Sequence, residues 1–278
     1  MGYTRISLTP AEMADFYSAP MGFEDLHLPE NEYLIIEDEN AKVVDKLCYQ
    51  KGKLRSLIPG RISNRYMGTV KPRNLEQEFA FDMFLDRTSS VKILRGVYGS
   101  GKDFIMLNAA LQLIEDGEFD RIIYIRPNVT VANVPEIGFL PGDADDKLAW
   151  TLGPIADNIG GEDAIEFLVK SDKLTAIPLP FIRGRSFANS IIYVSEGQNM
   201  TLEIVKLLLG RVGENSELWI NSDCHQTDRK IFDKDNGVTR LIEILKGNEL
   251  VSYVSLVKSE RSKVAELATL IDEIEYSR

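Results

Sequence analysis

The chain has 278 residues, 44% hydrophobic and 27% charged, which is typical of a globular protein with one large core or a core plus a small unit. Its formal net charge of −11 and pI of about 4.9 argue against a broad basic surface for nucleic acid, but leave room for a local groove or a channel formed on assembly. No apolar run approaches the roughly 20 residues that cross a bilayer, and the N-terminus lacks a signal-peptide core, so we expect a cytoplasmic protein without a membrane partner.

The few cysteines and histidines argue against a disulfide framework and against a zinc site. Cys48 and Cys224 are the only cysteines, so no disulfide framework is predicted. His27 and His225 are the only histidines, which does not favour a zinc site.

Residues 1–70 differ from the rest of the chain. They contain short apolar segments such as YLIIE (33–37), and turn signals at 51–53 and at Pro59-Gly60. This pattern predicts a small, strand-rich N-terminal extension. We expect its boundary near 70–73, because Pro72 disfavours helix just before it.

From residue 71 to residue 278, short apolar runs alternate with helical patterns. The runs predicted as strands are VKIL (91–94), RIIYI (121–125), IIYV (191–194), ELWIN (217–221) and LVSYVSLV (250–257). The segments predicted as helices are 104–114, 201–209 and 261–276. Alternating strands and helices predict an α/β fold with a mostly parallel, doubly wound sheet.

A glycine-rich loop follows the first of these strands. Gly96 to Lys102 fit the phosphate-binding pattern G-x-x-x-x-G-K-[ST], but Asp103 stands where the magnesium-binding hydroxyl is expected. Glycines often form ordinary turns, yet a strand before and a helix after favour phosphate binding at the helix N-terminus. The predicted nucleotide-binding residues are Gly96, Tyr98, Gly99, Ser100, Gly101, Lys102 and Asp103.

The segment IIYVSEGQN (191–199) is the candidate for the second half of such a site. Glu196 stands where a water-activating base is expected, while Ser195 replaces the aspartate that normally holds magnesium through water. The alternative is a strand edge followed by a turn at Gly197.

Asp103 and Ser195 together suggest an exchange rather than a loss. The loop has a carboxylate in place of a hydroxyl, and the strand has a hydroxyl in place of a carboxylate. In P-loop folds these two positions face one magnesium ion, so we interpret the site as rearranged, with Asp103 and Ser195 as Mg²⁺ ligands. Two chance substitutions are the alternative.

With these motifs, the chain resembles the PhoH family of P-loop ATPases, especially its phage-encoded members, over about residues 71–270. The segments that carry the resemblance are GVYGSGKD (96–103), YIRPNV (124–129), IGFLPGDADDK (137–147), FIRGRSF (181–187), VSEGQN (194–199), LLGRVGENS (208–216) and NSDCHQTD (221–228). Besides Asp103 and Ser195, this chain departs at Gly197, where the family usually has alanine, and at Ser222, where it has glycine.

The resemblance implies a RecA-like core that binds ATP and Mg²⁺, and roles for several residues. Gln77, supported by Asn74, would read the adenine edge, although an exposed glutamine at a helix start is nearly as good an interpretation. Gln226, near Asp223, would sense the γ-phosphate, and His225 is expected to be a bystander.

Arginines in family-like segments are candidates for stabilising the transferred phosphoryl group, including from a neighbouring subunit. Arg211 is the first candidate, followed by Arg183 and Arg261, while Arg126 and Arg185 also lie in such segments. Any one of them can equally be a surface or packing residue.

Two functions therefore stay open at this point. The first is a magnesium-dependent ATPase, helicase-like and linked to RNA or another single-stranded nucleic acid, working as a homo-oligomer with a hexameric ring suspected. The second is a nucleotide-binding switch or interaction protein with little turnover. Residues 1–70 look too short, and lack the acidic cluster, for the nuclease module of some relatives.

Overall fold

The computed structural model describes residues 2–18, 26–58, 60–127, 152–223 and 236–260. The α-helices with both ends in these ranges are α1 (Pro10–Ser18), α2 (Leu75–Leu85), α3 (Lys102–Glu115), α4 (Glu162–Lys170), α5 (Leu202–Leu209) and α6 (Gly237–Leu245). The strands are β1 (Tyr3–Ser7), β2 (Tyr33–Glu37), β3 (Val43–Gln50), β4 (Lys53–Ser56), β5 (Ile62–Asn64), β6 (Gly68–Val70), β7 (Val91–Gly96), β8 (Arg121–Ile125), β9 (Leu174–Ala176), β10 (Ser190–Val194), β11 (Glu217–Asp223) and β12 (Val251–Leu256).

The main sheet has six strands in the order β12-β7-β11-β10-β8-β9, and every neighbouring pair is parallel. It confirms the predicted α/β fold with a RecA-like P-loop core. Its central strands are buried along their whole length because helices cover both faces. The carboxyl ends of β7, β10 and β11 meet at one edge of the sheet, and there the site lies.

Two hydrophobic clusters fill the two faces of this sheet. One face packs against α2 and α3 and includes Tyr193 and Trp219. The other packs against α5 and α6 and includes Ile192 and Ile220. Alternate residues of each strand therefore face opposite helical layers, as the period of two requires.

The N-terminal extension is strand-rich, as predicted. β1 to β4 form a four-stranded sheet, and β5 and β6 form a separate hairpin. Tyr33 of β2 stacks on Phe79 of α2 with ring centroids 4.5 Å apart, and Arg55 makes a bidentate ion pair with the buried Asp82 at 2.8 and 2.9 Å. The extension thus contributes to one buried core with α2, and a boundary near residue 70 stays a prediction.

Among the residues described, no helix is both long and apolar enough to cross a bilayer.

Cys48 is buried, and this burial raises the pKa of its thiol to about 12, which leaves it unreactive.

Candidate active site

A cleft of about 450 Å³ opens at the carboxyl edge of the main sheet. Its walls come from the glycine loop, the ends of β8, β10 and β11, and the segment before α2. The loop residues Lys102 and Asp103 and the strand-end residues Ser195 and Glu196 all line it. Two motifs that are more than 90 positions apart in the chain therefore meet in one cavity.

The glycine loop needs glycine at three positions for two reasons. Gly99 and Gly101 have φ values of 74° and 87°, in the left-handed region that other residues rarely adopt. Gly96 has a different reason, because an added Cβ would lie 2.7 Å from the Ser100 side chain and 2.9 Å from that of Leu256. The loop then leads directly into α3, whose first backbone N–H groups have no partner within the helix.

The ammonium group of Lys102 lies at the floor of the loop. It donates to the carbonyl oxygens of Gly96 and Val97 at 2.8 and 3.0 Å, and it lies 3.4 Å from the Asp223 carboxylate. Its side chain is only 10% exposed. A cation held under a ring of backbone amides is suited to binding the oxygens of a phosphate chain.

Asp103, in the first turn of α3, is held by side chains of two strands. Tyr193 Oη and Asn221 Nδ2 both donate to its Oδ1 atom, each at 2.6 Å. Burial, together with the Asp103 carboxylate, raises the pKa of Tyr193 well above its ordinary value, so that this hydroxyl stays protonated. The contact was not predicted from the sequence.

Ser195 lies on the same wall of the cleft and is 5% exposed. Its backbone N–H donates to the carbonyl oxygen of Ile125 at 3.0 Å, and its side chain lies beside the hydroxyl of Tyr124. Burial raises the pKa of Tyr124 to about 12. Tyr124 stacks on Tyr193 with centroids 5.6 Å apart, so the surroundings of Ser195 and Asp103 are contiguous.

The residues in the cleft fit a magnesium ion that is held mainly by phosphate and water. Within the described ranges, no three His, Cys, Asp or Glu side chains form a metal-binding group. The oxygens of Asp103 and Ser195 are hard ligands of the kind Mg²⁺ takes, one or two at a time, beside substrate phosphates.

Glu196 occupies an unusual backbone conformation, with φ 56° and ψ 41°. Its carboxylate accepts a hydrogen bond from Gln198 at 2.6 Å and lies 3.8 Å from the Arg126 guanidinium. The carbonyl of the same Gln198 side chain accepts from the Asp223 N–H at 2.9 Å. Gln198 therefore ties the predicted base to the end of β11. A non-glycine residue in the left-handed region is strained, and such strain concentrates at functional sites.

Asn74 and Gln77, predicted to read adenine, lie beside the loop with their side chains engaged. Asn74 caps α2 by accepting from Gln77 N–H at 2.9 Å and donates to Glu260 at 2.7 Å. The Gln77 amide donates to Ser100 O at 3.1 Å and accepts from Arg73 N–H at 2.8 Å. Gln77 is 5% exposed, unlike the exposed helix-start residue of the alternative interpretation. The role of Gln77 in reading adenine stays a prediction. It would require the Gln77 side chain to exchange its hydrogen bonds to Ser100 and Arg73 for bonds to the base.

The structure does not bring the arginine candidates together. Arg126 lines the cleft, whereas Arg183 and Arg185 are exposed on the segment before β10. Arg211 follows α5 at the amino edge of the sheet, where its carbonyl accepts from Phe187 N–H at 3.0 Å. It therefore lies across the sheet from the loop of its own chain. The remaining predicted features lie outside the described residues: Gln226, His225, Cys224, Arg261, the predicted helix 261–276 and the whole 137–147 segment.

Gly197, one of the departures from the family pattern, has a steric reason. A Cβ there would lie 2.6 Å from Ile220 Cγ2 and 2.9 Å from the carbonyl oxygen of Asn221. Even alanine would push β11 or Ile220 aside.

Four residues that sequence reasoning missed contribute to the site: Tyr193, Asn221, Gln198 and Glu260. Glu260 donates its N–H to Gly99 O at 3.1 Å and so ties the chain after β12 to the loop. The available signal was position, because Tyr193, Asn221 and Gln198 are polar residues at or just beyond the carboxyl ends of predicted parallel strands.

Comparison with known proteins gives one consistent result. The family model for PhoH-like proteins matches residues 69–273. Protein PhoH2 of Bacillus subtilis is 36% identical over 210 residues, which cover 72% of this chain and 47% of that protein. Protein PhoH2 of Mycolicibacterium smegmatis is 30% identical over 210 residues (74% and 48%), and Protein PhoH of Escherichia coli is 30% identical over 172 residues (59% and 47%). The chain spans about half the length of the curated relatives it matches.

Proposed function

The chain belongs to the PhoH family of P-loop NTPases, and from this membership and the cleft we propose that it binds ATP with Mg²⁺ and hydrolyses it. One observation supports the proposal above the others. The loop lysine Lys102, the carboxylate Asp103 and the strand-end acid Glu196 line a single cleft at the carboxyl edge of a parallel sheet. That edge is where open α/β sheets bind their ligands.

Each residue has a role that follows from its position. Lys102 leaves the carbonyls of Gly96 and Val97 and binds the phosphate oxygens, together with the loop amides. Asp103 and Ser195 would hold the metal ion, which would supply positive charge to the phosphates. The cation is needed because the Asp103 carboxylate and the phosphates are both negative. Two unit charges of like sign about 4 Å apart repel by roughly 4 kcal/mol at an effective dielectric near 20.

In the chemical step, a water oxygen attacks the γ-phosphorus and the bond to the β–γ bridging oxygen breaks. Glu196 accepts the proton of this water. Gln198 and Arg126 orient the Glu196 carboxylate, through the contacts at 2.6 and 3.8 Å.

A nucleic-acid partner and a ring assembly are the finer parts of the proposal. Phe181 is 69% exposed, and the exposed arginines Arg183 and Arg185 follow it within four residues. Aromatic side chains beside arginines are suited to stacking on bases and pairing with phosphates of a single strand, such as RNA. The position of Arg211 is compatible with a ring, since it lies at the opposite edge of the sheet from the cleft of its own chain.

A nucleotide-binding switch with little turnover is the second candidate. Lys102 is engaged by its own loop and by Asp223, and Glu196 is paired with Arg126. A protein that binds nucleotide without breaking these contacts would turn over slowly.

Steady-state phosphate release from MgATP, with and without RNA, tests the proposal. We expect turnover by the wild type, its loss in Lys102→Ala, and normal turnover in Lys206→Ala, which removes an exposed lysine of α5. Tight ATP binding without turnover would favour the switch. Absence of ATP binding by the folded wild type would contradict both candidates.

A further inference from the structure

Two buried hydrogen-bond donors hold the Asp103 carboxylate at the wall of the cleft. Tyr193 of β10 and Asn221 of β11 donate to the same oxygen, Oδ1, each at 2.6 Å. Both are nearly inaccessible to solvent, since Tyr193 is 0% and Asn221 3% exposed. Buried donors in well-packed surroundings have little freedom to move, so they fix the carboxylate in one orientation.

Both donors come from the face of the sheet that α3 covers. Tyr193 pairs with Trp219 across β10 and β11, and Asn221 is two residues further along β11, so both side chains are on the Trp219 face. Both lie near the carboxyl ends of their strands, under the first turn of α3. The register of two strands thus brings a hydroxyl and an amide to one atom of the loop.

The second oxygen, Oδ2, is left without a hydrogen bond from the described residues. Nor does any lysine, arginine or histidine of these residues form an ion pair with Asp103. Tyrosine and asparagine are neutral, so they orient the negative charge without cancelling it. A partly buried, oriented and uncompensated carboxylate that lines the cleft is poised for a cation.

We propose that Tyr193 and Asn221 are positioning residues that hold Asp103 so that its Oδ2 atom would be available to the magnesium ion of bound MgATP. This inference rests on the proposed function. Both residues are inferred to act through Asp103; Tyr193 is not part of the cleft lining, whereas Asn221 also lines the cleft. Their effect is therefore on the metal dependence of nucleotide binding.

Tyr193→Phe separates this role from a packing role, because it removes the hydroxyl and keeps the ring in the core. The measurement is the affinity for a fluorescent ATP analogue across a Mg²⁺ titration. We expect the Mg²⁺ concentration at half-maximal affinity to rise about tenfold, the scale of one hydrogen bond to a charged group. Affinity in EDTA should stay unchanged, because the loop and Lys102 are intact.

Tyr33→Phe is the matched control. Tyr33 is also buried and donates to a carboxylate, Asp82 Oδ2 at 2.9 Å, but this contact lies between β2 and α2 and away from the cleft. We expect a similar loss of thermal stability and no change in the Mg²⁺ midpoint. Asn221→Ala provides a second arm, with a rise in the midpoint like that of Tyr193→Phe, and it decides the test if Tyr193→Phe does not fold.

An unchanged midpoint in the folded variants, with magnesium-dependent binding by the wild type, would overturn the inference and leave the proposed function standing. An equal shift in Tyr33→Phe would also overturn it, because the effect would then be general destabilisation. If the wild type binds ATP equally well with and without Mg²⁺, the metal role of Asp103 fails, and the inference fails with it. If the wild type binds no ATP, the proposed function itself is overturned.

Discussion

At the scale of single residues, Glu196 combines a strained backbone conformation with the position of the proposed base. Its left-handed conformation costs on the order of 1–3 kcal/mol for a residue other than glycine or asparagine. The contacts to Gln198 and Arg126 hold the side chain at the cleft wall, with 40% of it still exposed. The role of base that we propose for Glu196 requires access to both water and the phosphate, and this exposure allows such access.

Glu196→Gln should retain ATP binding and lose hydrolysis, because an amide cannot accept the proton of the attacking water. General-base catalysis typically contributes about 10²–10⁴-fold, so turnover should fall by about this factor. Binding of a fluorescent ATP analogue and phosphate release would be measured on the same preparation. Glu203→Gln, an exposed carboxylate of α5, is the control and should behave as wild type. Turnover of Glu196→Gln within about a factor of two of wild type would remove the assignment.

At the scale of elements, the start of α2, the glycine loop and the chain after β12 form one hydrogen-bonded unit. Gln77 bridges Arg73 and Ser100, and Glu260 bridges Asn74 and Gly99. The loop is therefore held from outside as well as by its glycines. This arrangement makes Gln77 a support of the loop, whether or not it also reads adenine.

Gln77→Leu distinguishes these two roles, because it keeps the volume and removes both hydrogen bonds. Leaving buried groups unpaired costs about 1–3 kcal/mol each, so we expect lower thermal stability and weaker nucleotide binding. If Gln77 only supports the loop, ATP and GTP affinities fall equally. If it reads adenine, the preference for ATP over GTP is lost. Gln112→Leu, which removes a hydrogen bond to Ser63 away from the cleft, should leave nucleotide affinity unchanged. Unchanged affinity and stability in Gln77→Leu would contradict both roles.

Many elements of the main sheet and its helices were predicted from the sequence, whereas β9, α2, α4, α6 and the contacts between elements were not. Apolar runs and helical spacing correctly predicted β7, β8, β10, β11, β12, α3 and α5, because burial sets those periods locally. The partners of Asp103 depend on the register of two strands, and Asn221 is 118 residues away along the chain. No local pattern carries that information. The same is true of Gly197, whose need for glycine comes from Ile220 and Asn221.

At the scale of the whole molecule, the cleft and Arg211 lie at opposite edges of the main sheet. The carboxyl edge holds the cleft, and the amino edge holds Arg211, which donates to Arg185 O at 3.0 Å. This position is the basis of our proposal that Arg211 acts at the cleft of a neighbouring copy in a ring. With a net charge of −11, the nucleic-acid binding that we propose would depend on local features such as the Phe181 to Arg185 segment.

Arg211→Ala should lose turnover and keep nucleotide affinity if Arg211 acts across an interface. Mixing it with Glu196→Gln subunits should partly restore phosphate release, because some interfaces then contain both an intact Glu196 and an intact Arg211. Arg121→Ala, which removes a partly exposed arginine paired with Asp172, is the control and should turn over normally. Absence of rescue, together with a monomer at all concentrations in light scattering, would exclude the ring.

A double-mutant cycle between Asp103 and Ser195 tests most directly whether these two residues exchange the usual hydroxyl and carboxylate of a magnesium site. The measurement is phosphate release at saturating MgATP. Asp103→Thr alone removes the carboxylate, and Ser195→Asp alone places a second carboxylate at the ion, so both should impair turnover. The double variant restores the usual hydroxyl and carboxylate arrangement, and we predict a loss well below the sum of the two single losses in free energy. Additive losses, with all three variants folded, would show that Asp103 and Ser195 do not share a metal ion.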